Sequence, residues 1–243
     1  MTKSILQEQQ LDGILAARPV SELESMLAAG EEILECYRVL KKAGLNIVGE
    51  CLKDQGTFYE FDHYPKGDVY DDETHSQYYY HAHRSEAGEH GHFHTFLRNK
   101  GMPAGIHCAK YDGDEVWPSG DEALSHLVAI SMDRYGYPTN LFTANRWVTG
   151  ETWYHGEDVI RMLDVFEMDH AYPSWPVNRW ITAMMRLFRP TIEGLIRERD
   201  AALEAWQRRH PDKDIYEERE LELTSITPIS VETQITAIQA VLK

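Results

Sequence analysis

The chain contains the run Tyr78-Tyr79-Tyr80-His81-Ala82-His83-Arg84-Ser85-Glu86-Ala87-Gly88-Glu89-His90-Gly91-His92-Phe93-His94-Thr95-Phe96-Leu97-Arg98. It holds two His-x-His units joined by a short acidic connection bearing Gly88 and Gly91, residues that suit a turn. Seven of the 12 histidines fall between His75 and His107. In a strand, alternate side chains project to one face, so His81 pairs with His83 and His92 with His94. A hairpin with His83 opposite His92 and His81 opposite His94 would gather four rings on one face, with cross-strand Cβ atoms about 5 Å apart. Four imidazoles are costly to bury without partners, whereas neutral imidazole is a common ligand for iron, copper, zinc and nickel. The pattern predicts a metal site.

The candidate metal ligands are His81, His83, His92 and His94, with His126 or His107 reaching in from elsewhere and Glu60 or Asp62 from the preceding segment. Glu86 and Glu89 on the connection are candidate oxygen ligands or catalytic bases, and Arg98 continues the His92 and His94 face as a substrate anchor. Two or three histidines with one carboxylate suit non-haem iron, leaving positions open for oxygen or substrate; zinc and copper are the alternatives. With zinc, the site would be that of a hydrolase or lyase, with Glu86 or Glu89 as base toward a bound water. A closed four-histidine site would instead mark a non-catalytic metal-binding protein. The competing bland reading of the cluster is a solvated surface or an adventitious metal trap. Isolated histidines such as His155, His170 and His210 read as surface or satisfied core.

The two His-x-His units resemble part of the cupin pattern, in which such a unit and a nearby glutamate are completed by a histidine from a later strand. The long helices depart from the nearly all-β cupin chain, so only the idea of completion by His126 or His107 carries over. The His-rich strands of this acidic chain, within residues 57 to 147, also resemble the small non-haem iron oxidases of heterotrophic nitrifying bacteria, which oxidise hydroxylamine. The run Gly88-Glu89-His90-Gly91-His92-Phe93-His94 is similar to that of uncharacterised bacterial proteins. These resemblances imply redox chemistry with oxygen on a small molecule.

The elements that must position these residues follow from periodicity. Leu23, Met26, Leu27, Ile33, Leu34, Tyr37 and Leu40 recur at helical spacing from Val20 to Ala43. Ser21 is a candidate N-cap, Gly30 a candidate break and Gly44 a candidate stop. Period-two segments at Thr57 to Phe61, Gln77 to His83, His92 to Arg98, His126 to Met132 and Thr139 to Trp147 read as strands. They follow one another without intervening helices, which predicts an antiparallel sheet. Helical periods return at Asp158 to Met168 and from Pro176 onward, with a break expected at Pro190. Tyr216 to Thr227 alternates like a strand, and Val231 to Leu242 reads as a last helix. The expected class is α+β, an antiparallel sheet carrying a His-rich hairpin, flanked by N-terminal and C-terminal helices. The expected organisation is a single domain over 1–243, with a helical part at 1–56, the sheet and metal site at 57–150 and a helical part at 151–243.

Length and charge bound the function. At roughly 150 residues per domain, 243 residues suffice for one large domain with a sizeable core. The balance of 24 basic against 40 acidic residues gives a net charge of −16, which disfavours nucleic acid and anionic membrane surfaces as partners. Cys36, Cys51 and Cys108 lack the spacing of a thiolate zinc site or a disulfide framework. Met1 to Gln10 has no apolar signal region, so a cytoplasmic protein is expected. Nucleotide-binding, serine-hydrolase and zincin motifs are missing from the sequence. The expected partners are a small-molecule substrate and a second copy in a homodimer. The dimer is suggested by the aromatic-rich helix from Pro176 to Arg189 and by a Tyr216 to Thr227 segment able to reach a neighbour.

Overall fold

The computed structural model describes residues 13–82 and 88–243. In chain order it contains helices α1 (Val20–Lys42) and α2 (Ile47–Leu52), then strands β1 (Tyr64–Tyr70), β2 (Ser76–His81), β3 (Gly91–Arg98), β4 (Leu124–Met132) and β5 (Pro138–Ala144). Helices α3 (Arg146–Thr149), α4 (Gly156–Met162), α5 (Trp175–Leu187) and α6 (Arg189–Arg209) follow, then strand β6 (Leu223–Pro228) and helix α7 (Val231–Val241). The six strands form one antiparallel sheet in the order β1-β2-β3-β4-β5-β6. The protein is therefore α+β, with helices flanking an antiparallel sheet.

Helix α1 buries Leu23, Met26, Ala29, Gly30, Ile33, Cys36 and Leu40, the three-and-four spacing of an amphipathic helix. It runs unbroken through Gly30, where a Cβ would lie 2.6 Å from Ile235 Cγ1, so the missing side chain is what lets α7 pack closely. Pro19, not Ser21, occupies its N-cap position. Gly44 follows the helix in the left-handed region (φ 71°), as expected of a stop. The break at Pro190 is present too: α5 ends at Leu187 and α6 starts at Arg189, with the proline in its first turn where no N–H is needed.

Three strand expectations need correction. Thr57 to Phe61 is not a strand; Phe61 adopts φ 69° and the first strand begins at Tyr64. Strand β5 stops at Ala144, because the Asn145 side chain accepts from Arg146 N and starts the short helix α3. Leu223–Pro228 does not lie outside the sheet but pairs with β5 as its sixth strand. Strand β1 slips against β2 between Tyr64 and Val69, a bulge that includes Asp68 at φ 62°.

All of β2 except His81 and all of β3 except Arg98 is buried, so the middle of the sheet is covered on both faces. One face presents Tyr78, Tyr80, Phe93, Leu97, Val128 and Ile130 to the helices. The Phe93 and Trp180 rings lie 5.5 Å apart, the Tyr78 hydroxyl donates to Asn178 Oδ1 at 2.7 Å, and Trp180 Nε1 donates to the Tyr37 hydroxyl. The main aromatic of α5 is thus turned into the core. No helix among the described residues is long and apolar enough to cross a membrane.

Candidate metal centre

The other face of β2 and β3 carries the histidines. The ladder sets His81 opposite His92 and Tyr79 opposite His94, two residues away from the expected register. Gly91 explains the difference. A Cβ there would lie 2.5 Å from the His81 carbonyl and from the Tyr80 hydroxyl, so the glycine lets β3 close against the end of β2 at His81. His81, His92 and His94 place their ligating nitrogens within 4.8 Å of one another, and among the described residues they form a group that could hold a metal ion. Their ring centroids are 4.5 Å, 4.8 Å and 5.1 Å apart, and Nε2 of His81 lies 2.7 Å from Nε2 of His92. His92 and His94 are fully buried, whereas His81 is partly exposed at the rim.

Partners on the far ring nitrogens orient two of the three. Nδ1 of His92 meets the Glu89 carboxylate in a short contact. A histidine that binds metal through Nε2 carries its proton on Nδ1, so His92 donates there and Glu89 accepts. Nδ1 of His94 lies 3.0 Å from Nε2 of His126. The same logic makes His94 the donor and requires His126 to be neutral, with Nε2 unprotonated. Its surroundings keep it so: burial, then the positive Arg199, then His92 push its pKa down to about 3. His126 is held in turn by Glu151, whose Oε2 accepts the His126 backbone N–H at 2.6 Å. Burial pushes the Glu151 pKa up to about 7, against the pull of Arg199 and of the hydrogen bonds from His126 and Thr149.

Aromatic side chains complete the rim. The Tyr79 ring stands 5.3 Å from His81 and 5.1 Å from His94, and His63 stacks on it at 3.6 Å. The β1 bulge aims Asp68 at this corner, where it contacts His63 Nδ1 at 3.0 Å and accepts from Gln77 Nε2 at 2.7 Å. Phe142 on β5 packs against His92 at 5.2 Å.

The remaining candidates separate cleanly. His83 and Glu86 lie outside the described residues. Glu89 abuts the triad as the acceptor for His92, and His126 as the acceptor for His94. Glu60, Asp62 and His107 are exposed and stand outside the described ligand group. Arg98 is four residues beyond His94, about 13 Å along the strand, where it donates to Gln77 Oε1. Residues that pattern reading did not single out are His63, a lone histidine just before β1, and Ser131, opposite His92 on β4. Glu151, which holds the His126 backbone, and Tyr79, one of three consecutive tyrosines, were not singled out either.

Fold and site together define an α+β protein with a three-histidine candidate metal centre on the sheet face away from the main helical core. The chain belongs to the family DUF6969, a domain of unknown function, which matches residues 27–229 and so spans every residue of the triad. No curated protein and no solved structure matches the chain.

Proposed function

We propose that this chain is a non-haem metalloenzyme in which His81, His92 and His94 hold one divalent transition-metal ion, with iron as the working metal, and that it oxidises a small molecule with oxygen. The observation that carries this reading is the set of three ligating nitrogens within 4.8 Å of one another at a buried sheet face. Three protein ligands leave coordination positions open, which distinguishes a catalytic centre from a closed structural one. His126, a sequence candidate for a further ligand, is instead bonded to Nδ1 of His94 and stands outside the ligand group. Imidazoles without thiolate suit iron, copper and zinc alike. Redox chemistry is favoured over hydrolysis by Glu89: it is engaged by His92 and would have to leave that ring to act as a base. Tyr79, against two of the ligands, adds an oxidisable ring and no base. Hydroxylamine is the first substrate to try, on the resemblance of the His-rich strands to small hydroxylamine-oxidising iron proteins.

The test begins with metal analysis of protein purified without an affinity tag. Apo-protein is then reconstituted separately with ferrous iron and with zinc, and hydroxylamine loss and oxygen uptake are followed. Activity with iron alone supports the proposal. Equal activity with zinc, or none with either metal, overturns the redox reading in favour of a zinc hydrolase or lyase or a non-catalytic metal-binding protein.

A further inference from the structure

Ser131 lies on β4 directly opposite His92, and cross-strand partners project to the same face. It is 1% exposed, and its Oγ is buried with no hydrogen-bond partner among the described residues. Other hydroxyls buried in this sheet are satisfied: Ser125 Oγ donates to the His126 carbonyl, Thr95 Oγ1 to the Val128 carbonyl, and Thr143 Oγ1 is bonded to Thr224 and Ser225. A buried hydroxyl without a partner is destabilising, so one in a native sheet needs an explanation. Its surroundings supply one. Ala129, the residue paired with His94, contributes only a methyl to this face, and Phe142, paired with Ala129, walls the side with its ring against His92 and His94. The triad and the Ser131 hydroxyl thus border a spot lined by a methyl and ring edges.

We infer that Ser131 is a ligand-binding residue of this centre, its hydroxyl donating a hydrogen bond to an acceptor atom of a small anion or water bound at the ion. The inference rests on the metal reading above and adds the class of molecule taken up. Walls of methyl and ring edges would leave the further polar groups of a larger ligand unpaired, whereas a compact acceptor satisfies Ser131 without that cost.

The experiment loads apo wild-type protein and Ser131→Ala with cobalt(II), a spectroscopic substitute for iron, and titrates each with azide while following the visible cobalt absorption. Cobalt stoichiometry should be equal, and azide should bind Ser131→Ala about tenfold more weakly, a difference of about 1.4 kcal/mol. Apo Ser131→Ala should melt no lower than apo wild type, because the substitution removes a hydroxyl that has no protein partner, so the weaker azide binding is not a folding defect. Equal azide affinity in two fully loaded proteins overturns this inference and leaves the metal centre standing. A wild-type protein that takes up no cobalt overturns both.

Discussion

The two faces of β2 and β3 are buried alike and filled by opposite means. On one face Tyr78, Tyr80, Phe93 and Leu97 pack into the helical core, and the polar atoms there are tied off, as Tyr78 is by Asn178 and Tyr80 by His90. On the other, alternate residues of the same strands present Tyr79, His81, His92 and His94. Hydrocarbon leaves water with a gain in free energy, whereas imidazole leaves it at a cost unless its nitrogens are bonded. The first face is therefore built for stability. The second is accounted for by what its nitrogens bind.

Substitutions at adjacent positions of β3 should separate these roles most strongly. His92→Ala or His94→Ala should lower bound metal to well below one equivalent while leaving a folded protein. Phe93→Ala, between them, should cost about 3–5 kcal/mol in urea unfolding through the lost core contacts. Full metal retention in both histidine variants would erase the difference between the faces.

Glu151 gives the next largest effect. Its pKa is about 7 in the folded chain against an ordinary 4.5, so the folded state keeps a proton that the unfolded chain has lost. Stability from this group is whole below pH 4.5 and is lost as pH rises through 7, a change of about 3 kcal/mol. His126 slopes the other way. Held near 3 against an ordinary 6.5, it stays neutral where the unfolded chain binds a proton, so stability falls as pH drops below 6.5. Apo-protein should thus be most stable between about pH 4.5 and 6.5. Glu151→Gln should remove the fall between pH 4.5 and 7, so that stability rises with pH up to about 6.5 and is flat above it; an unchanged pH profile of unfolding in that variant would show that the carboxylate is ionised throughout.

The smallest effect probes orientation. His126→Leu removes the acceptor for His94 and should weaken metal binding about 10- to 100-fold, as loss of such a partner typically does. His126→Gln, whose amide oxygen can accept, should recover part of that loss. Equal metal affinity in the leucine variant would reduce His126 to packing.

Periodicity made most of the fold legible: α1 buries one face at three-and-four spacing, and the central strands, though buried on both faces, stood out as runs of alternating and aromatic residues. His92 and His94 were legible for the same reason. The hairpin register was not: it depends on how closely Gly91 approaches His81, a contact that spacing does not encode. The role of β4 was hidden by one extra residue. Thr95 pairs with Val128 but Phe96 with His126, so Leu127 is bulged and His126 shares a face with Ser131 despite the odd number of steps between them. Strict alternation would have put those two side chains on opposite faces. His63 had no periodic signal, since it lies in irregular chain just before β1 and reaches the rim through the Tyr79 ring.

The slipped strand β1 bears on how copies of the chain can meet. A regular outer strand offers its backbone groups as a template on which a second chain can grow the sheet, and such growth is a route to fibres. Here the ladder is interrupted between Tyr64 and Val69, and the side chain released at Asp68 is spent on His63 and Gln77. An incoming strand would meet a discontinuous row of donors and acceptors. That side of the sheet is thereby guarded against polymerisation, and copies that associate there must do so through side chains instead of a shared ladder.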